Sequence, residues 1–360
     1  MSDLEQDAPY DARLDLVLSL AVKKGADGIL ISNLPDIRWA CGFTGSNGLL
    51  LVLQGSRTLI TDGRYTHQAG MEVVCADVLI AANDVLDEME RFSVNRLAIQ
   101  SDHVTGDVQL RLENVLLKTE LRPVTHFLEH LRAEKNTEEI ASIREALRIT
   151  EGVLEKVTSL IRPGITERKL AAEIDYRQRL AGAESTAFQT IVAFGENSTL
   201  PHARPTERTL TNDENILVDT GCVVNGFSSD ITRNYFIGPP PDEYIKVYDA
   251  VEAARESAVN HGRSGIRADE LDAAARSSIE NAGYGQYFTH SLGHGVGLEV
   301  HEYPRISQSS NATLPNHAVV TIEPGIYLPE KFGIRIEDLI LLEEGGATRL
   351  NTMSTELKII

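Results

Sequence analysis

The stretch FTHSLGHGVGLEVHE, Phe288 to Glu302, carries three histidines, two glutamates and three glycines in fifteen residues. Imidazole at this density can bind a metal, move protons, or do both. Glycine is unfavourable inside a helix and gives a strand no side chain to pack, so Gly293, Gly295 and Gly297 do not serve local stability. His290 and His294 have the spacing of a helical zinc motif, but H-E-x-x-H needs a glutamate where Ser291 stands. Leu298 stands where G-x-G-x-x-G requires a glycine, which excludes a dinucleotide loop.

Further donors lie elsewhere. ILVDTGCVVNGFSSDITR, Ile216 to Arg233, holds Asp219 and Asp230 at the ends of two predicted strands joined by a Gly-containing turn. Antiparallel pairing would bring both carboxylates to the same end of a sheet. Either one alone is an ordinary turn residue. Glu323 closes the apolar strand VVTIE, and Glu337 lies inside the strand-like IRIEDLILL, where a carboxylate is costly to bury unless paired or metal-bound. Asp219, Asp230, Glu323 and Glu337 in one site would repel one another without cations. With one imidazole added, such a set suits Mn, Co, Zn or Fe in pairs, and two ions about 3.5–4 Å apart activate a water for hydrolysis.

The elements that must position these residues follow from periodicity. At 360 residues the chain exceeds the usual size of one hydrophobic core, so two domains are expected, 1–132 and 133–360. In the first, a helix from Tyr10 to about Lys24 precedes the apolar runs GILIS, GLLLVLQ, RTLITD, VLIAA and RLAIQ, with a hairpin at Gln54 to Ser56. This mixed α/β domain ends near Pro123. The second opens with a helix from Asn136 or Thr137 to Ile161, then one capped by Thr166 and running to about Leu180. DEYIKVYDAVEAARESAVNHG and ADELDAAARSSIENAG are helical too, so 137–238 and 242–342 read as two similar halves, each a helix pair with β segments. The fold class is α/β (α+β).

Composition bounds the function. The hydrophobic fraction of 42% and charged fraction of 24% are those of a globular protein, with no apolar run of membrane-spanning length. A net charge of −19 argues against nucleic-acid binding and fits either solubility or cation holding. The acidic start MSDLEQDAPYDARLDLV lacks the features of a secretory signal, so a cytoplasmic location is expected. Cys41, Cys75 and Cys222 are expected to be free, buried thiols.

The ordered set PHARPTER, LVDTGCVVNGFSSDITR, HSLGHGVGLEVHE, TIEPGIY and GIRIEDLILL resembles peptidase family M24, the creatinase and methionine-aminopeptidase superfamily with its pita-bread fold. Within it the closest resemblance is to the proline-specific exopeptidases, aminopeptidase P and prolidase. ITDGRYTHQA, Ile60 to Ala69, resembles the N-terminal domain of that subgroup, so the likeness covers nearly the whole chain. It implies Asp219, Asp230, His294, Glu323 and Glu337 as ligands of two divalent ions, Mn first with Co or Zn as alternatives, bridged by Asp230 and Glu337. It implies His290 and His301 beside the metals, His301 near the scissile amide, His202 on the substrate side, and Tyr327 and Arg335 as further active-site residues. Phe227 stands where many relatives have tyrosine, at a position that is not a ligand.

The implied activity is cleavage of the Xaa-Pro bond at a peptide N-terminus by a metal-activated hydroxide, with Glu323 taking the proton and His301 or His202 contacting the substrate. A dipeptidase should hold the product carboxylate with a cation, for which Arg335 and Arg204 are available, whereas an aminopeptidase leaves that side open. The aminopeptidase P-like activity is expected, with prolidase as the alternative and a catalytically silent pita-bread scaffold as the non-enzyme rival. The expected partners are proline-containing peptides and, from the resemblance, a second copy in a homodimer, with no nucleic acid or membrane.

Overall fold

The computed structural model describes residues 4–360, with side chains from Tyr10 onward. The chain divides into two compact units, Met1–His130 and Leu131–Ile360.

In the first unit β1 (Gly28–Ile31), β2 (Gly48–Leu53), β3 (Ser56–Asp62), β4 (Asp77–Ala81), β5 (Arg96–Gln100) and β6 (Glu120–Val124) form a mixed sheet in the order β4-β3-β2-β1-β5-β6. The expected hairpin joins β2 to β3, with Leu53 opposite Ser56 and Gly55 at φ +86. β6 lies outside the five expected runs; its Pro123 removes an amide donor, a loss that an edge position tolerates. Helices α1 (Leu4–Lys23), α2 (Leu34–Cys41), α3 (Thr66–Glu72) and α4 (Gly106–Val115) accompany the sheet. Leu30, Leu51, Ile60, Leu97, Ile99 and Leu112 build its core.

The second unit begins inside α5 (Glu129–Ala133), and its first long helix is α6 (Thr137–Val157). Asn136 accepts from the Glu139 amide and Glu139 accepts from the Asn136 amide, both at 2.9 Å, a reciprocal cap that fixes where α6 starts. Thr166 caps α7 (Glu167–Leu180) through the Lys169 amide at 3.1 Å. This helix pair covers a sheet of β8 (Ile191–Phe194), β9 (Glu214–Thr220) and β12 (Ile231–Ile237), with Val153, Leu170, Ile174, Val192, Ile216 and Val218 between the layers. Between β9 and β12 the expected simple turn is a second hairpin, β10 (Cys222–Val224) and β11 (Phe227–Ser228), turned at Asn225 and Gly226, both at positive φ. β10 also pairs with the short β7 (Ser185–Thr186).

The second half repeats the plan. Helices α8 (Asp242–His261) and α9 (Ala268–Asn281) pack on β13 (Gly293–Gly295), β14 (Glu302–Ile306), β15 (Val319–Ile322), β18 (Asp338–Glu343) and β19 (Gly346–Arg349), in the order β14-β13-β15-β18-β19. β16 (Gly325–Leu328) and β17 (Phe332–Arg335) form a separate hairpin, and β20 (Lys358–Ile359) joins the first half's sheet parallel to β12. IRIEDLILL is therefore not one strand: Ile336 and Glu337 occupy the break between β17 and β18. Among the described residues no helix is long and apolar enough to cross a membrane.

Candidate metal centre

Strand register assembles the donors. Asp219 on β9 faces Thr232 on β12, and Asp230 directly precedes β12, so both aspartates sit at the same end of that sheet. In the other half Ile322 pairs with Asp338, which leaves Glu323 and Glu337 side by side just past the ends of β15 and β18. β13 lies against β15 and presents His294, whose amide donates to Thr321 Oγ1 at 3.0 Å. Asp219 stands inside the ladder of β9, whereas Asp230, Glu323 and Glu337 flank the ends of β12, β15 and β18, where the backbone is freed from the ladder but still fixed by it.

His294 Nε2 lies 3.4 Å from Glu323 Oε1 and 3.7 Å from Asp230 Oδ2, and one donor atom each of Asp230, His294 and Glu337 lie within 4.8 Å of one another. His294 Nδ1 donates to the Gly295 carbonyl at 3.1 Å, because a carbonyl can only accept; Nε2 therefore carries the lone pair. Burial holds its pKa down to about 4, so the ring is neutral and its lone pair faces two carboxylates.

Asp219 Oδ1 is buried with no hydrogen-bond partner, while its Oδ2 accepts from Arg335 Nη2 at 2.7 Å. Burial, then the surrounding carboxylates, raise Asp230 and Glu337 well above the carboxylate range; burial, set against Arg335, pushes Glu323 up to about 8. An orphaned oxygen, an imidazole lone pair and mutually repelling carboxylates are what divalent cations would satisfy together. The donor set fits a metal.

Arg335 links this cluster to its surroundings. Besides Asp219, it donates to Thr232 Oγ1 (3.1 Å), the Pro201 carbonyl (3.1 Å) and Tyr327 Oη (2.8 Å), leaving at most one N–H for a ligand. Tyr327 in turn donates to His290 Nε2 at 2.9 Å, and His290 Nδ1 donates to the Ser291 carbonyl at 2.8 Å. Both His290 nitrogens are thus committed, and burial lowers its pKa to about 4. His301 packs its ring against His294 at 4.3 Å while its edge reaches solvent; cover of the packed face lowers its pKa against an upward pull from Asp219. His202 is exposed and close enough to influence both His290 and His301.

Residues 141–344 match the family model for metallopeptidase family M24, and residues 13–133 match the creatinase/prolidase N-terminal domain. The chain belongs to metallopeptidase family M24. Over 344 residues, 95% of this chain and 97% of the relative, the M24 chain is 34% identical to an Xaa-Pro dipeptidase of Pyrococcus horikoshii. A solved Xaa-Pro dipeptidase from Bacillus anthracis superposes with a TM-score of 0.95 at 33% identity, covering 98% of this chain and 100% of its own. An X-Pro aminopeptidase structure from Thermotoga maritima gives 0.88 at 36% identity, covering 93% and 98%. The architecture is that of an M24 pita-bread domain behind a creatinase-type N-terminal domain, as the motifs implied.

One residue of the M24 site escaped the sequence reading. Thr232 donates to Glu337 Oε2 at 2.7 Å while accepting from Arg335, so it spaces the two charges. Its signal was present: two residues after Asp230, it lies on the same strand face. A second histidine–carboxylate group, Asp102, His126 and Glu129, lies in the first unit, but there the His126 backbone amide donates to Asp102 Oδ2 at 2.7 Å and its ring Nδ1 bonds Glu129 Oε1 at 2.8 Å.

Proposed function

We propose that this M24 peptidase removes the N-terminal residue from peptides with proline in second position, an aminopeptidase P-like activity, and holds two divalent ions, with manganese first and cobalt or zinc as alternatives. The reading rests on one conjunction: whole-length likeness to Xaa-Pro peptidases, with a buried to half-buried donor set of Asp219, Asp230, His294, Glu323 and Glu337 intact. That intact set also weighs against a silent scaffold. Bound there, divalent ions supply Lewis acidity and acidify a water.

The chain's own residues supply the rest. Glu323, bonded only weakly to Thr321 Oγ1 at 3.2 Å, is the carboxylate we propose to take the water's proton. Asp230 and Glu337 are the proposed bridges between ions. His301 and His202, both exposed, are free to hydrogen-bond the bound substrate or to donate to its carbonyl oxygen as charge develops on it. His290 and Tyr327, locked together, hold Arg335 against Asp219. A proline nitrogen brings no N–H, so a site built without an acceptor at that point loses nothing.

Two relatives named Xaa-Pro dipeptidase support prolidase as the second reading. Arg335 is committed to protein partners, so a product-side carboxylate clamp falls to Arg204, exposed in the same segment as His202. The buried free thiols Cys41, Cys75 and Cys222 support a reducing, cytoplasmic setting. A homodimer is proposed from the family resemblance, and the molar mass in solution from static light scattering checks it.

The deciding experiment compares Xaa-Pro with Xaa-Pro-Yaa-Zaa peptides on metal-free and Mn-loaded protein. An open product side gives the longer peptide an equal or higher kcat/KM. A clamp instead penalises it by about 2–4 kcal/mol, tens- to several-hundred-fold, a preference that Arg204→Ala abolishes; that result would make the protein a prolidase. No cleavage of either peptide with any of the three metals would leave only the scaffold.

A further inference from the structure

Each half of the catalytic unit places a fully buried carboxylate on its second helix, and neither carboxylate faces the metal centre. In the first half it is Glu167, the first residue of α7. Its Oε1 accepts from the Phe194 amide at 2.8 Å and Asn197 Nδ2 at 2.9 Å; its Oε2 accepts from the Thr206 amide at 2.9 Å and Thr206 Oγ1 at 2.6 Å. The helix start answers in kind, since the Arg168 amide donates to the Thr206 carbonyl at 3.0 Å. One carboxylate therefore pins both ends of the loop 195–205.

That loop carries His202. Its first part is also held through Ser198, whose hydroxyl accepts from the Gly333 amide at 2.8 Å. Beyond Ser198 the holds are fewer: Arg335 grips the Pro201 carbonyl, and Glu167 grips Thr206. Leu200 is 61% exposed and His202 is exposed, so their own side chains are little fixed by packing, although Ala203 beside His202 packs against Ile191, Ala193 and Leu217.

The second half has the same device with different residues. Asp272 on α9 accepts from the Leu292 amide at 3.1 Å and from Arg276 Nε at 2.7 Å, and Arg276 donates to the carbonyls of Phe288 and His290 at 3.0 and 2.9 Å. It clasps the segment bearing His290. Two unrelated sets of partners thus reach one arrangement, a buried acid on the second helix holding a histidine-bearing loop.

We propose that Glu167 is a positioning residue that sets His202 for substrate by clasping the loop 195–205, as Asp272 holds the His290 segment. The link to substrate rests on His202 lying on the substrate side of an Xaa-Pro peptidase. Because all four groups around Glu167 are donors, two on each oxygen, Glu167→Gln keeps the volume but turns an amide N–H₂ against the pair that one oxygen served, so one end of the loop is released.

Two measurements on the full-length, Mn-loaded enzyme test this. Amide hydrogen exchange in peptides covering 200–206 should quicken about tenfold or more in Glu167→Gln, while 288–292 and metal content stay as in the wild type. KM for an Xaa-Pro peptide should rise about tenfold with kcat within about threefold, and the Glu167→Gln/His202→Ala double variant should be no worse than His202→Ala, because the first acts through the second. If Glu167→Gln does not fold, Thr206→Val removes one of the bonds and should move the same readouts less far in the same direction. Unchanged exchange at 200–206, or additive effects on KM, overturns the proposal. Quickened exchange with a kinetically silent His202→Ala overturns instead the assignment of His202 to the substrate side.

Discussion

Asp219 offers its two oxygens to different kinds of partner: Oδ2 takes Arg335, and Oδ1 has no hydrogen bond. Such division is costly in a metal-free site and useful in a loaded one. In the absence of metal, Glu323 titrates near 8 against 4.5 for a free glutamate, and Asp230 and Glu337 are raised too. The folded chain then holds protons that the unfolded chain releases, so this stability is fully present below about pH 4.5 and is lost as pH rises through about 8. Melting in EDTA should therefore show Tm falling on the order of 5 °C between pH 6 and 8.5, and excess Mn should reverse the slope by competing with the protons. A Tm that rises with pH in EDTA rules this out. The roles of single residues separate by metal analysis. Asp230→Asn should weaken both ions together and His294→Ala should lower metal content, whereas His301→Ala should cut turnover about a hundredfold or more with metal retained. Equal metal loss in the two histidine variants would mean that their roles are wrongly divided.

Among the elements, β13 explains the glycines that surround the histidines. A Cβ at Gly293 would run into the Thr321 carbonyl of β15, and one at Gly295 into the Tyr303 carbonyl. Gly293 and Gly295 are set by close approach of neighbouring backbones, whereas Gly297 makes room for the Glu302 carboxylate. Gly293→Ala should push β13 off β15, lowering Tm by about 5–10 °C and loosening the metal, since His294 follows directly. Wild-type melting and metal content in that variant would show that the strand yields without cost. Legibility followed the range of the forces. The starts of α6 and α7 were readable because Asn136, Glu139 and Thr166 cap within a few residues of themselves. The β9–β12 carboxylate pair was readable from apolar runs that end in acids. The break before Glu337 was not, because an unbroken apolar pattern does not say where β17 leaves one sheet and β18 joins another. Glu167 was not singled out, although Thr166 before it was read as a cap. What it holds lies 27 to 39 residues further on, beyond any local pattern.

At the scale of the molecule, all five proposed metal donors belong to the unit Leu131–Ile360, which has its own cores, while Leu30, Leu97 and their neighbours form a separate core in the other. The second unit expressed alone should fold cooperatively and bind as much metal per chain as the full protein, measured by elemental analysis after dialysis. Cooperative melting without metal would show that the first unit is needed to complete the site. Within the second unit the donors are shared: Asp219 and Asp230 come from the first half, His294, Glu323 and Glu337 from the second, and a run of three prolines, 239–241, lies between the halves. A nascent chain that has emerged only as far as Gly238 owns too few donors to grip an ion, so the ribosome cannot release a premature peptidase from it. Cut within that proline run, the gene would encode two inert fragments, and β20 on the second, which pairs with β12 on the first, offers them an edge on which to recombine. The metal would then report their reunion, which makes the division between the halves a natural seam for a split-enzyme sensor.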